Sequence, residues 1–269
     1  MATLSPDVDY ADRGSGPALL FVPGSFGTGA GWRAVIDKIG DGYRIVSTSL
    51  LGYGATAERR PSHNPTMAEQ VEVLDAILDR IDAPAHVVGH SYGGLATVAH
   101  AILGRRKPAS LILVEANPLD ILRAAGDQAH YDLFGAMTKV YFAEFEAGRP
   151  DAARHVIDFY GGGGTFDALP QKARDYVVAT TASNILDWAS GTAFRPALAD
   201  YSAIDVPTLV VRGGDGHPAM LRIAELLASR IPRATLTTIE GGRHFLPVTH
   251  AAALAHLIAT HVASVSGPP

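Results

Sequence analysis

The sequence predicts an α/β domain: a mostly parallel central sheet flanked by helices, with a helical segment inserted between two of its later strands. Three observations lead there. Short β-type runs alternate with helical patterns, as in a parallel sheet joined by crossover helices. One of those runs passes through Gly89-His90-Ser91-Tyr92-Gly93 into a helix of small residues. The alternation then stops from Asn117 to about Tyr201, where amphipathic, aromatic-rich patterns take over.

The strand candidates are residues 18–22, 43–48, 85–88, 110–115, 208–212 and 235–239. Each is almost continuously apolar, which suits a strand covered on both faces. Residues 8–13 are expected to open an antiparallel edge hairpin that turns at Gly14-Ser15-Gly16. After Pro65-Thr66, apolar side chains at Val71, Leu74, Ile77, Leu78 and Ile81 follow helical spacing. Residues 219–229 and 249–262 repeat that pattern. Residues 1–116 and 202–269 are therefore expected to build one core, and residues 117–201 a helical cap over it. Most of the cap aromatics read as cap core. Gly161-Gly162-Gly163-Gly164 reads as a turn, because no strand leads into it and no Lys-Ser/Thr pair follows.

Composition narrows the partners. A chain of 269 residues with 47% apolar side chains can bury a large core. Its net charge of −5 weighs against nucleic acid or an anionic membrane surface as a main partner. The absence of cysteine excludes disulfides, thiolate metal sites and a cysteine nucleophile. Met1 to Tyr10 has neither a basic start nor an apolar stretch, and no segment approaches the length of a membrane span. The expectation is a soluble, cytoplasmic protein.

The chemistry centres on Ser91. A serine on a tight strand-to-helix turn has its hydroxyl pushed out at the end of the sheet. Glycines flank it because a Cβ there would collide with the neighbouring strand or helix. A serine hydroxyl is a weak nucleophile and needs a base within reach. Among 11 histidines, His244 stands out. It follows the last strand candidate in Glu240-Gly241-Gly242-Arg243-His244, in a loop at the C-terminal end of the sheet, where Ser91 also emerges. His90 would point away from Ser91. His86 and His90 share a ligand-like spacing, but a strand followed by a turn does not hold i and i+4 on one face, so no metal is expected. An oxyanion hole needs two backbone N–H groups. Tyr92 supplies one, and Ser25 in the loop Val22-Pro23-Gly24-Ser25-Phe26-Gly27 is the expected second.

Together these motifs resemble the α/β-hydrolase fold superfamily, in its capped, esterase- or lipase-like form. Pro23-Gly24-Ser25 with Trp32 downstream is similar to the family's His-Gly-x loop, and Gly52-Tyr53-Gly54-Ala55-Thr56 to its G-x-G-x-S turn. The elbow, the strand at 207–211 and the His244 loop follow in family order. Pro23 stands where the family usually has histidine, and Ser49 and Leu51 replace an aspartate and an arginine. The family's usual acid position, three residues after Gly213, holds Gly216, and Asp215 comes one residue early. Glu115 ends the strand after the elbow helix, where some members carry their acid. Glu115 is preferred over Asp215 as the group that orients His244.

The resemblance implies a serine hydrolase of carboxylic esters or related acyl compounds, working through an acyl-enzyme without a cofactor. Cap composition points to an apolar small-molecule substrate. The same serine geometry also suits C–C hydrolysis, perhydrolysis, thioester cleavage or acyl transfer. Two other classes remain beside it: a ligand sensor on a hydrolase scaffold, and an interaction module using the cap aromatics.

Overall fold

The computed structural model describes residues 8–266; Met1 to Asp7, within the segment inspected for a leader, and residues 267–269 lie outside it. Seven strands form one sheet: β1 (Tyr10–Gly14), β2 (Ala18–Val22), β3 (Arg44–Thr48), β4 (Ala85–His90), β5 (Ser110–Val114), β6 (Thr208–Gly213) and β7 (Ala234–Ile239). Their order is β1-β3-β2-β4-β5-β6-β7, and every pairing is parallel except that of β1 with β3.

The strands' apolar runs are explained by cover on both faces. Leu20 and Val22 of β2 face one core, with α2 (Ala68–Ile81), α3 (Tyr92–Leu103) and α11 (Pro218–Arg230). Leu19 and Phe21 face the other, with α1 (Arg33–Ile39) and α13 (Ala251–Ser266). In β5, Leu111 and Leu113 alternate with Ile112 and Val114 in the same way. Period-two alternation thus sorts apolar side chains between two cores rather than between core and solvent.

One expectation is corrected at the edge. β1 does not form a hairpin with β2; it pairs antiparallel with β3, Tyr10 opposite Thr48 and Gly14 opposite Arg44. Both edges of β2 are already taken by β3 and β4, so β1 cannot join β2 and pairs instead with the outer side of β3. The exposed edge carries Asp12, whose carboxylate accepts from Arg44 Nη2 at 2.6 Å. Boundaries also shift. β4 runs on to His90, and the last helical segment is split at His250 into α12 (Leu246–Thr249) and α13.

Between β5 and β6 the chain forms α4 (Asp120–Ala124), α5 (Gln128–Glu146), α6 (Arg154–Gly161), α7 (Thr165–Ala168), α8 (Gln171–Ala179), α9 (Thr181–Ala193) and α10 (Leu198–Ser202). Gly162–Gly164 turn the chain from α6 to α7. Phe134, Tyr141, Phe166 and Tyr201 are buried within these helices, whereas Tyr160 and Trp188 reach a cavity at the strand ends. Among the described residues, no helix is long and apolar enough to cross a membrane.

His86 lies far from that cavity. Its Nδ1 meets Ser110 Oγ at 2.7 Å and its Nε2 meets Ser266 Oγ at 3.0 Å. Burial, and secondarily the neighbouring His261, pushes its pKa down to about 4. Unfolded, a histidine titrates near ~6.5. Between those values the unfolded chain binds a proton that the folded chain refuses, so stability is full above the unfolded pKa and is lost as pH falls through this window. The urea midpoint is expected to drop as pH falls across it, with a shallower slope in His86→Gln. Equal slopes in the two proteins would remove His86 from the account.

Candidate active site

The elbow sets the geometry. Ser91 sits between β4 and α3 with φ 54° and ψ −123°, outside the region that L-residues favour. Such a conformation costs on the order of 1–3 kcal/mol and persists only where the surroundings enforce it. Here Ser91 N–H donates to Val114 O of β5 at 3.0 Å, and Leu95 N–H to Ser91 O at 3.0 Å. A Cβ on Gly93 would strike the Pro23 carbonyl, and one on Gly24 would lie 2.9 Å from Ser91 Cβ. Glycine at both places lets the Pro23–Gly27 loop close against the serine.

Ser91, His244 and Glu115 are brought together although they are widely separated in sequence. Ser91 Oγ lies 2.8 Å from His244 Nε2, and His244 Nδ1 lies 3.1 Å from Glu115 Oε2. All three are buried. Glu115 follows β5 directly, with φ 46°, and its own N–H donates to Val211 O at 2.8 Å. Its other carboxylate oxygen accepts from Gly213 N–H at 2.7 Å. One oxygen is thus tied to β6 and the other is free to face the imidazole.

Asp215, the alternative acid, is not part of this group. It is exposed, and its N–H donates to Gly242 O at 2.9 Å. The neighbouring position 216 adjoins the Glu115 carboxylate: a Cβ added to Gly216 would stand in ordinary contact with Glu115 Oε1, at 3.8 Å. Glu115→Gln is expected to lower kcat by roughly 10²–10⁴, because the amide can hold the wrong imidazole tautomer. Asp215→Asn should leave kcat within about twofold, as an exposed change away from the site normally does. Steady-state kinetics of the two variants checks this; the opposite ranking would return the role to Asp215.

Ser25 and Tyr92 line the same cavity as Ser91. Tyr92 opens α3, so its N–H has no carbonyl one turn back to bond. Phe26, next to Ser25, has φ 59°. Three of the four non-glycine residues with positive φ among the described residues, Phe26, Ser91 and Glu115, therefore border this one site. His90 lines the same cavity, but its Nε2 bonds His244 O at 2.8 Å and so ties the histidine loop to the elbow. Burial, and then His244, lowers its pKa. A neutral His90 donates to that carbonyl with one nitrogen. His86 and His90 serve different partners and do not converge.

A polar network beneath α9 escaped the sequence reading. Asp187 accepts from Ser25 Oγ, Tyr53 OH and Arg60 Nη1, each at 2.6 Å. The Arg60 side chain is fully buried and also donates to Glu58, Leu51 O and Ser183 O. Burial opposes its charge, but the Glu58 and Asp187 carboxylates hold its pKa above the ordinary value. Asp187 thereby fastens α9 to the loop that carries Ser25. A signal existed: Asn184, Asp187, Trp188 and Gly191 fall at i, i+3, i+4 and i+7, and all line the cavity. A carboxylate on the inward stripe of a helix marks a buried polar site. Tyr160 was read with the cap aromatics; its ring stacks on His244 at 4.1 Å between centroids, and its hydroxyl accepts from Asn117 Nδ2 at 2.9 Å.

A mostly parallel sheet between helical layers, with the site at its strand ends behind a strained serine elbow, defines an α/β hydrolase. Residues 19–257 match the alpha/beta hydrolase family, and the chain belongs to it. An epoxide hydrolase of Caballeronia sordidicola is 25% identical over 255 residues, covering 91% of this chain and 68% of that one. A pimeloyl-[acyl-carrier protein] methyl ester esterase of Vibrio campbellii is 28% identical over 167 residues, 57% of this chain and 62% of the esterase. The chain thus spans about two thirds of the length of these two relatives. Among solved structures, a thermophilic esterase from Thermogutta terrifontis superposes with a TM-score of 0.75 at 21% identity, covering 96% of this chain and 93% of that one. That likeness concerns the fold.

Proposed function

We propose that this protein is a serine hydrolase of carboxylic esters or closely related acyl compounds. The observation that carries the reading is the continuous path Ser91 Oγ, His244 Nε2, His244 Nδ1, Glu115 Oε2, with steps of 2.8 and 3.1 Å between residues. In this reading Ser91 attacks the acyl carbon while His244 takes its proton, and Glu115 holds the imidazole tautomer and stabilises the imidazolium. The Ser25 and Tyr92 N–H groups receive the oxyanion. Residues 117–201 act as a cap on a core of residues 1–116 and 202–269. The cap residues Val156, Tyr160 and Trp188 on the cavity wall support that division. Opening an epoxide by covalent catalysis calls for a carboxylate nucleophile, and the elbow of this chain carries a serine.

Treatment with a fluorophosphonate, followed by mass mapping, tests the proposal. The expected adduct is on Ser91, and it should form at least 100-fold more slowly in His244→Ala. A folded wild-type protein that stays unmodified would overturn the hydrolase reading.

A further inference from the structure

The site has two chambers of very different size, and their arrangement assigns the two halves of an ester. The inner chamber holds Ser91 and His244 and has a volume of about 50 Å³. Leu95, Leu119, Val156, Tyr160 and Trp188 line it. At about 10–15 Å³ per water-sized group, it takes roughly three to five such groups. The outer chamber is a groove of about 430 Å³ along Leu169, Ala173, Val177, Pro247 and Val248. Ser25, Phe26, Ile157 and Phe245 belong to both walls and form the neck between them. Val248, on the groove, is 72% exposed, so this end meets solvent.

We propose that the substrate is an ester of a short acyl group with a larger apolar alcohol: the acyl part occupies the inner chamber and the alcohol lies through the neck in the groove. This rests on Ser91 being the nucleophile. The order of bond changes decides which half goes where. The bond from Ser91 Oγ to the acyl carbon forms, the bond from acyl carbon to alcohol oxygen breaks, and the serine proton passes through His244 Nε2 to the departing oxygen. The alcohol must then leave before water can add to the acyl-enzyme. Water gives its proton to His244, its oxygen joins the acyl carbon, and Ser91 recovers its proton as the acid departs. An alcohol in the groove leaves directly to solvent. An alcohol in the inner chamber would have to leave past an acyl chain still bonded to Ser91. The groove's apolar wall favours hydrocarbon over a charged or sugar-like alcohol.

The test is kcat/KM across two series of esters with the intact wild-type protein. In the first, the acyl chain lengthens from acetyl to octanoyl on one alcohol. In the second, the alcohol lengthens from methyl to octyl on acetate. Each methylene added to the alcohol should raise kcat/KM about fourfold until the groove is filled, the factor that corresponds to burying one CH₂. Acyl chains beyond about four carbons should lose at least 100-fold. Ala173→Trp, which fills the groove, should lower the hexyl-to-methyl ratio at least tenfold. Trp188→Ala, which enlarges the inner chamber, should raise hexanoyl relative to acetyl. Methyl hexanoate cleaved faster than hexyl acetate, or flat profiles in both series, would overturn the assignment while leaving Ser91 hydrolysis intact. No turnover of any ester, together with no fluorophosphonate adduct on Ser91, would instead remove the reading on which it rests.

Discussion

Ser91→Ala is expected to lower ester kcat/KM by a factor of about 10⁶, the scale on which a nucleophile of this kind fails when removed. The Oγ is the atom to which the acyl group would bond, and no other hydroxyl lies within hydrogen-bond distance of His244 Nε2 among the described residues. KM should change little, because the oxyanion donors and the chamber walls remain. His244→Ala should fall by a comparable factor, since the serine then lacks its base. The double variant should lose almost nothing more, because the two residues act as one unit. What survives is turnover from the oxyanion hole and substrate binding, roughly 10³–10⁴ above water. A Ser91→Ala protein within tenfold of wild type would mean that the chemistry lies elsewhere. Independent, multiplying losses from the two single changes would mean that they do not act on one proton.

The second large effect concerns stability. Asp187→Ala takes from the fully buried Arg60 guanidinium the buried one of its two carboxylate partners, at 2.6 Å. Breaking a buried pair from one side costs about 3–5 kcal/mol. For a domain of this size that is roughly 10 °C in Tm, at about 2–4 °C per kcal/mol. Replacing both partners, Arg60→Met with Asp187→Leu, should restore part of the loss, because no fully buried charge is then stranded and only the partly exposed Glu58 loses its guanidinium. Activity should separate from stability in that double variant. Ser25 Oγ loses its anchor in either case, so kcat should stay depressed while Tm partly recovers. Thermal unfolding and steady-state kinetics on the same samples check both parts. An Asp187→Ala protein within about 1 kcal/mol of wild type would show that Arg60 is held by Glu58 and the carbonyls alone.

How much of this was legible in the sequence follows from the range over which each feature is decided. The elbow is local. Gly89, Ser91 and Gly93 lie within five residues, and a Cβ on Gly89 would strike Gly93, Gly94 and Thr97 of the same turn and helix, although the clash at Gly93 comes from the distant Pro23 carbonyl. β2, β4, β5 and β6 were readable because burial on both faces leaves a mainly apolar run in the chain. His244 was readable from its place after the last strand. β1 was not: which side of which strand it joins depends on edges occupied by segments later in the chain.

The sequence by itself determined the layered α/β architecture, the serine turn and the loop that brings His244 near it, because each follows from a short stretch of backbone sterics or a repeating pattern of side chains. Only the tertiary structure sets Glu115, and not Asp215, beside His244. That placement turns on the side-by-side pairing of β5 and β6 and on the Gly213 N–H, which takes one carboxylate oxygen of Glu115 while the other faces His244. Only the tertiary structure joined Arg60 to Asp187, 127 residues apart, and set a narrow chamber beside a wide groove. These depend on which side chains fill a shared space once distant segments meet, and no local pattern in the chain encodes that volume.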